Sequence, residues 1–159
     1  MAFIFVWLLW PLTIGEVWVP TSIDVVRSML ELGDVQEGDL VIDLGSGDGR
    51  IIMTAARDYK ARAIGIEADP IRLVWSRSMI RLKGLSERVK VLWDNFLNKD
   101  LGEATVVTVY QNQEINRKLR PKFEKELKPG TRVISHVFTF DIWEPKKVDK
   151  KSHIYLYII

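Results

Sequence analysis

An acidic residue followed by three alternate glycines, within residues 43–50, is the part of this sequence best suited to bind a small molecule. Glycine has no Cβ, so its backbone adopts positive φ and approaches a ligand closely. The acidic side chain adds a negative charge suited to a cationic group. The spacing differs from the dinucleotide fingerprint, in which the third glycine comes one residue later. The loop residues that we expect to contact the ligand are Asp43, Gly45, Ser46, Gly47 and Gly49.

The residues on either side of this loop predict a strand that turns directly into a helix. Residues 40–42 are a short run of large apolar side chains, as in a buried strand, and residues 51–56 have a helical composition. A helix that begins there directs its free N–H groups at whatever the loop binds. Taken alone, the same pattern also fits a tight turn that binds nothing.

Two further strand ends favour a ligand site over an empty turn. Residues 63–67 predict a strand that ends in Glu67, about 20 residues beyond the loop, where doubly wound folds bind a ribose hydroxyl pair. Asp69-Pro70 then begins a helix, with proline at a tolerated first-turn position. Residues 89–93 predict another strand. The residues that follow these two strands, which we expect to line the same crevice, are Ala68, Asp94, Asn95 and Phe96.

Helix and strand patterns alternate along the rest of the chain. Thr21 is in an N-cap position, with Asp24 at the capping-box position. An apolar set marks one side of the helix after Pro70, and a second set predicts a helix before Pro129. Such alternation predicts an α/β fold with an open parallel sheet and helices on both faces. The first side is marked by Ile71, Val74, Trp75, Ser78 and Leu82, and the second set is Ile115, Leu119, Phe123 and Leu127. The remaining predicted strands are 104–110, 131–140 and 153–159, the last preceded by a basic turn.

Composition limits the kinds of site that the chain can form. Its 159 residues suffice for one domain with a sizeable core, and a net charge of +2 is no strong signal for nucleic acid. The absence of cysteine excludes disulfides, thiolate metal sites and a cysteine nucleophile. With only His136 and His153 as imidazoles, we expect no metal site.

Residues 1–15 form a hydrophobic segment without a charged side chain, separate from a domain at 16–159. The segment is shorter than the about 20 apolar residues that span a bilayer, and Pro11 would interrupt a helix. Met1 to Ile14 therefore either pack on the domain or on another protomer, lie on a membrane surface, or are the remnant of a longer anchor. We expect a cytoplasmic protein. It would also be membrane-associated if Met1 to Ile14 lie on a membrane surface.

Four segments together resemble a known family. Residues 43–50 resemble motif I of class I S-adenosylmethionine-dependent methyltransferases. Trp18-Val19-Pro20-Thr21, residues 104–108 and residues 127–136 narrow the resemblance to the archaeal broad-specificity protein lysine methyltransferases and their mitochondrial relatives that methylate the ATP synthase c-subunit. The resemblance covers nearly all of the chain after about residue 17, although Trp18 stands where that family usually has tyrosine. It implies a Rossmann-like, mostly parallel seven-stranded sheet with an antiparallel edge strand near the C-terminus.

The resemblance also implies a cofactor and roles for particular residues. The cofactor would be S-adenosylmethionine, with Asp43 facing its amino end. Thr21 would lie over its methionine end, and Asp94 would bond the adenine amino group while an apolar neighbour covers the ring. The partners would be proteins that present exposed lysines.

Three residues are candidates for catalysis at the ends of the fourth and fifth strands. Tyr110 and Asn112 should face the methyl group and could orient an incoming amine, and His136 could accept a proton. Each also has a structural interpretation: Tyr110 as a pocket wall, Asn112 as a helix cap and His136 as a buried core imidazole. A narrow apolar channel would favour the neutral lysine amine, so a dedicated general base is not essential.

Other functions remain open on the same motifs. A class I enzyme could act on a small molecule or on RNA, although Tyr110-Gln111-Asn112-Gln113 stands where methyltransferases of the adenine type carry Asn/Asp-Pro-Pro-Tyr/Phe. A cofactor-binding regulator without turnover is the non-enzymatic alternative.

Overall fold

Seven strands form one sheet in the order β3-β2-β1-β4-β5-β7-β6 in the computed structural model, which describes residues 19–159. β7 runs antiparallel to both of its neighbours, and the other pairs are parallel. The predicted mostly parallel, seven-stranded α/β fold is confirmed. The strands are β1 (Leu40–Leu44), β2 (Arg62–Glu67), β3 (Val89–Trp93), β4 (Val106–Val109), β5 (Arg132–His136), β6 (Lys147–Asp149) and β7 (Ile154–Ile158).

Helices cover both faces of this sheet and bury two apolar clusters. One cluster joins the sheet to α1, α2 and α3, and the other joins it to α4. The central strands β1 and β4 are buried along their whole length, which explains their continuous apolar runs. The helices are α1 (Ile23–Leu32), α2 (Arg50–Tyr59), α3 (Pro70–Leu82) and α4 (Gln113–Glu126).

The prediction for the start of α1 is wrong by one residue. Ser22, not Thr21, is the N-cap, and its side chain accepts a hydrogen bond from the Val25 N–H at 3.4 Å. Asp24 therefore does not occupy the capping-box position. Thr21 is buried, and its carbonyl oxygen accepts a hydrogen bond from Arg50 at the start of α2.

The C-terminal strands also differ from the prediction. β5 ends at His136 because Val137 has a φ of 68°, which a continuing strand cannot accommodate. The residues assigned to a basic turn include β6, a three-residue edge strand that pairs with β7. Its lysine-containing sequence is typical of an edge strand, where charge opposes pairing with another chain.

The predictions for Met1–Ile14, for the boundary between 1–15 and 16–159, and for Trp18 lie outside the described residues. Between Val19 and Ile159, no helix is long and apolar enough to cross a bilayer. Cellular location stays a prediction.

Candidate functional site

A cavity of about 590 Å³ opens beyond the carboxyl ends of the parallel strands, where this architecture binds ligands. Its size is within the range of small-molecule pockets. Four predicted site residues, Gly47, Gly49, Asp94 and His136, do not line it. Those that do are Thr21, Asp43, Gly45, Ser46, Glu67, Ala68, Asn95, Phe96, Tyr110 and Asn112.

The glycine loop between β1 and α2 has the conformation that its sequence predicts. Gly45, Gly47 and Gly49 have φ values of 79°, 56° and 82°, which other residues adopt only under strain. The N–H groups of Gly45 and Ser46 both donate to the Ile66 carbonyl oxygen, at 2.9 and 3.0 Å. The first turn after β1 is thereby held against the end of β2.

Gly65, in the middle of β2, makes room for this loop. A Cβ at that position would lie 2.4 Å from the Ser46 hydroxyl oxygen. Gly65 was not among the predicted site residues, because its role depends on the Ser46 side chain, which packs on it from the neighbouring loop.

The Glu67 carboxylate connects two backbone segments at the cavity wall. It accepts hydrogen bonds from the Gly47 N–H at 2.7 Å and from the Asp69 N–H at 2.8 Å, one on each oxygen. Glu67 is buried, and it links the glycine loop to the first turn of α3. A carboxylate has about four acceptor positions, so capacity remains for a pair of ligand hydroxyls.

The Asp43 carboxyl group is buried at the end of β1, and its ionisation is tuned by its surroundings. The parallel register places Asp43 opposite Thr108 of β4, whose hydroxyl donates to Asp43 Oδ1 at 2.7 Å. Burial raises the pKa of Asp43 from 3.8 to about 7; the Thr108 bond opposes this rise, and the charges of Glu67 and Asp48 add to it. A cationic ligand group would favour the ionised form.

Arg50 fastens the Val19–Thr21 turn to the loop. Its Nε lies 3.0 Å from both Asp48 carboxylate oxygens. Its Nη1 donates to the Thr21 carbonyl oxygen at 2.7 Å. This bridge holds the turn, which also lines the cavity, at the side of the glycine loop.

The residues after β4 form the other end of the cavity. Asn112 caps α4 by accepting a hydrogen bond from the Ile115 N–H at 2.9 Å, and it also lines the cavity. Its structural and functional interpretations are therefore compatible. Gln111 was not among the predicted site residues, yet it lines the cavity and its Nε2 donates to the Leu44 carbonyl oxygen at 3.0 Å. Its position between two candidates could have indicated it.

His136 contacts Tyr110 instead of the cavity. The two ring centroids are 4.4 Å apart at an interplanar angle of 54°. His136 Nδ1 is buried and has no hydrogen-bond partner among residues 19–159. Burial and the nearby charge of His153 lower the pKa of His136, a backbone hydrogen bond with Ser152 opposes this, and the net effect favours the neutral imidazole. Of the three predicted catalytic residues, Tyr110 and Asn112 therefore line the cavity, whereas His136 contacts the Tyr110 ring and does not line it.

The adenine-side residues are only partly brought together. Asn95 and Phe96 line the cavity, whereas the Asp94 Oδ1 atom accepts a hydrogen bond from the Asn95 N–H at 2.7 Å and Asp94 is not part of the lining. The role of Asp94 stays a prediction. Gly47 and Gly49 support the loop from behind the lining.

Comparison with known proteins gives a consistent family. The model of the ANTKMT methyltransferase domain matches residues 43–147. A protein-lysine N-methyltransferase of Saccharolobus islandicus is 46% identical over 149 residues, covering 89% of this chain and 92% of the relative. A human lysine N-methyltransferase of the ATP synthase c-subunit is 28% identical over 130 residues, covering 82% of this chain and 55% of the relative.

A solved structure extends the similarity to three dimensions. The crystal structure described as an RNA methyltransferase from Salinibacter ruber in complex with S-adenosyl-L-homocysteine has a TM-score of 0.86 and 43% identity, covering 89% of this chain and 94% of that one. A structure described as a SAM-dependent methyltransferase from Thiobacillus denitrificans, at 18% identity and a TM-score of 0.66, shares the fold; it covers 84% of this chain and 54% of that one.

Proposed function

This chain belongs to the ANTKMT methyltransferase domain family, and from that premise we propose that it transfers a methyl group from S-adenosylmethionine to the Nε atom of lysines in other proteins. The observation that carries the proposal is the cavity with two buried carboxylates at adjacent strand ends, beside a positive-φ glycine loop. The similarity to the Saccharolobus lysine methyltransferase, over nearly the full length of both chains, supports the substrate class.

The chemistry of the cavity residues fits S-adenosylmethionine. Asp43 would hold its amino group, and Glu67 its ribose hydroxyls, with the acceptor capacity that the two backbone bonds leave. Asn95 and Phe96 would hold the adenine, and the turn that contains Thr21 would hold the methionine end. When bound, this cofactor supplies a methyl group on a positively charged sulfur, already activated for in-line displacement.

The residues after β4 would prepare the lysine side chain. Free lysine has a pKa near 10.4, so it must lose a proton before its nitrogen can act as a nucleophile. Entry into a partly apolar cavity disfavours the ammonium form through desolvation, and the proton leaves to water. Tyr110 and Asn112 line the cavity and would orient the neutral amine. His136, neutral but behind Tyr110, would affect the reaction through that ring.

The test uses the full chain, methyl-labelled S-adenosylmethionine and a mixture of lysine-rich proteins, with mass spectrometry to locate the label. We expect label on lysine Nε. The Asp43→Asn variant should lose it, and Glu103→Gln, which changes an exposed acid outside the cavity lining, should retain it. Label on another atom, or cofactor binding without any S-adenosylhomocysteine formed, would contradict the proposal; the second result would indicate a regulator.

RNA is the second candidate substrate, because the Salinibacter ruber protein that is 43% identical is described as an RNA methyltransferase. The same reaction with total RNA in place of protein distinguishes the two. Label in RNA nucleosides with none in lysine would replace the present proposal, whereas label in lysine alone would exclude RNA under these conditions.

A further inference from the structure

Helix α3 carries apolar side chains on two opposite sides. The inner side packs into the core through Leu73 and Ile80. The outer side has large apolar side chains whose exposed fractions lie between 44 and 79%: Ile71, Val74, Trp75 and Leu82. Large apolar side chains grouped at a surface commonly mark a contact site, so we expect the outer side to be covered.

Trp93 extends this exposed surface at the end of β3. It is 67% exposed, and its indole N–H donates to the Ala68 carbonyl oxygen at 3.1 Å, just before α3 begins. Together these five residues are a set of exposed, large apolar side chains on α3 and at the end of β3, a kind of surface that often marks a contact site. We call Ile71, Val74, Trp75, Leu82 and Trp93 the α3 stripe.

The charge around the stripe restricts what can cover it. Arg77 and Arg81 lie along α3 and Lys83 directly after it, without an acid in the sequence between residues 70 and 86, whereas Arg72 lies 3.5 Å from Asp69, and Asp94 follows Trp93. A lysine-rich protein would be repelled there, so the stripe does not suit the proposed substrates. An uncharged apolar occupant fits both its hydrophobicity and its surroundings.

The chain itself contains such an occupant. Residues 1–15 carry no charged side chain and include eight consecutive residues, 3–10, that are all apolar. The first described residue, Val19, lines the same cavity as Ala68 and Arg72 at the start of α3. The chain therefore enters the described domain at a cavity that also reaches the start of α3.

The segment before Val19 is long enough to lie along the stripe. The stripe from Ile71 to Leu82 is about 17 Å long, because a helix rises 1.5 Å per residue. Residues 15–18 can span up to about 14 Å, and residues 3–14 up to about 40 Å when extended, which exceeds the length of the stripe.

We propose that residues 3–14 of each chain pack on the α3 stripe of the same chain. This packing removes two apolar surfaces from water at once, which is the main favourable term in such an association. It also holds the Val19–Thr21 turn, which Arg50 ties to the glycine loop, at the cavity. In this proposal the hydrophobic segment is part of the domain surface that borders the cavity near the Val19–Thr21 segment.

The lack of cysteine in the chain allows a direct test in the full-length protein. Val74→Cys places one thiol in the stripe, and Lys125→Cys places a matched thiol on the exposed side of α4, on the other face of the sheet. We expect maleimide to label Cys at position 74 at least about tenfold more slowly than at position 125, since an open state populated at about 10% or less gives that protection. Adding Trp7→Asp and Leu8→Asp should abolish the difference.

A second pair of variants identifies the occupant. Leu8→Cys combined with Val74→Cys should give an intramolecular cross-link with a short bis-maleimide, at a yield independent of protein concentration, whereas Leu8→Cys with Lys125→Cys should not. Cross-links between chains that increase with concentration would overturn the proposal in favour of a second copy. Protection that is present only with anionic phosphatidylserine vesicles would overturn it in favour of a membrane, and equal labelling at positions 74 and 125 would overturn it outright.

Discussion

At the end of the cavity formed by β1 and β2, two buried carboxylates are held by backbone N–H groups and by one threonine hydroxyl, and both face the cavity. At the end formed after β4, the polar atoms of Gln111 and Asn112 bond the protein's own backbone. The end formed by β1 and β2 places two carboxyl groups on buried side chains. The second is closer to neutral and is built from helix-cap and loop residues.

This difference suggests that the two ends of the cavity have different functions. Buried acids that are oriented in advance suit a cofactor with a cationic group and hydroxyls, which every catalytic cycle must bind in the same way. In the proposed function, the end beyond β4 admits a lysine side chain from another protein and releases it again. Substitutions at the first end should therefore change cofactor affinity, and those at the second should change turnover.

Glu67→Ala should have the largest effect at the end of the cavity formed by β1 and β2, which we call the cofactor end. It leaves the Gly47 and Asp69 N–H groups without their acceptor in a buried position, which costs about 1–3 kcal/mol for each group. We expect a loss of about 3 kcal/mol in the free energy of unfolding, measured with urea. We also expect S-adenosylhomocysteine affinity to fall more than about 100-fold by calorimetry.

Glu67→Gln is the matched control, because the amide keeps the shape and one acceptor oxygen. Its stability should lie between those of the wild type and Glu67→Ala. Unchanged stability in Glu67→Ala would show that the carboxylate does not hold the two segments together.

Asp43 should make cofactor affinity depend on pH. Its pKa of about 7 in the fold lies above the ordinary 3.8, so the ligand-free protein gains stability from the protonated form below about pH 4 and loses it as pH rises through 7. A cationic ligand needs the ionised form. Affinity for S-adenosylmethionine should thus rise by up to about tenfold per pH unit below about 7 and then level off.

The Asp43→Asn variant supplies the comparison for this prediction. Its affinity should be low and nearly independent of pH between about 5 and 8, as followed by calorimetry at each pH. A variant that retains the wild-type pH profile would assign the titration to another group.

Thr108→Val should shift that pH profile by a smaller amount. The Thr108 hydroxyl is the group that lowers the pKa of Asp43, so its removal raises the pKa further and moves the affinity midpoint to higher pH. At about pH 7 we expect about tenfold weaker cofactor binding, for a hydrogen bond to a charged group of about 1.5 kcal/mol.

A second threonine–aspartate pair offers a matched control. Thr105 donates to Asp39 Oδ1 at 2.7 Å, at the opposite ends of the same two strands and away from the cavity. Thr105→Val should destabilise the fold, because Thr105 also accepts a hydrogen bond from the Leu40 N–H at 2.9 Å, but it should not move the affinity midpoint. A shift of equal size in both variants would mean that the effect is general and not specific to Asp43.

Substitutions of Asn112 should have the smallest effect on stability. They should change turnover and not cofactor affinity, which distinguishes the end of the cavity after β4 from the cofactor end. Asn112→Ala removes the N-cap of α4, which costs about 1 kcal/mol, and Asn112→Ser retains a capping oxygen. We expect serine to restore the melting temperature but not the turnover, because its shorter side chain cannot orient the amine. Cofactor affinity should stay unchanged in both variants; full turnover in Asn112→Ser would leave Asn112 with a capping role alone.

The cofactor end could be predicted from sequence because its parts are close together along the chain. Asp43, the glycine loop and Glu67 lie within 25 residues, and parallel strands bring their carboxyl ends to one edge. The confirmed fold class follows from the same local patterns. The functional roles of these residues stay predictions, although the structure brings most of them to one cavity.

The end of the cavity formed after β4 was harder to predict, because its contacts join segments that are distant in the sequence. Gln111 reaches the Leu44 carbonyl oxygen across 67 positions, and His136 lies behind Tyr110, a relation that no local pattern contains. The start of α1 was misplaced because Thr21 and Ser22 are both good N-caps, and the contact between Arg50 and the Thr21 carbonyl oxygen lies outside any local pattern.

The sequence by itself determined which strand ends carry acids and which turn carries glycines, since backbone conformation and strand polarity depend on neighbouring residues. Only the tertiary structure decided that Thr108 faces Asp43, that Glu67 joins two loops, and that the apolar side of α3 marked by Ile71 and Trp75 points outward. The physical reason is that pairing register and burial depend on residues far apart in the chain. An apolar stripe looks the same in sequence whether it faces a core or an uncovered surface.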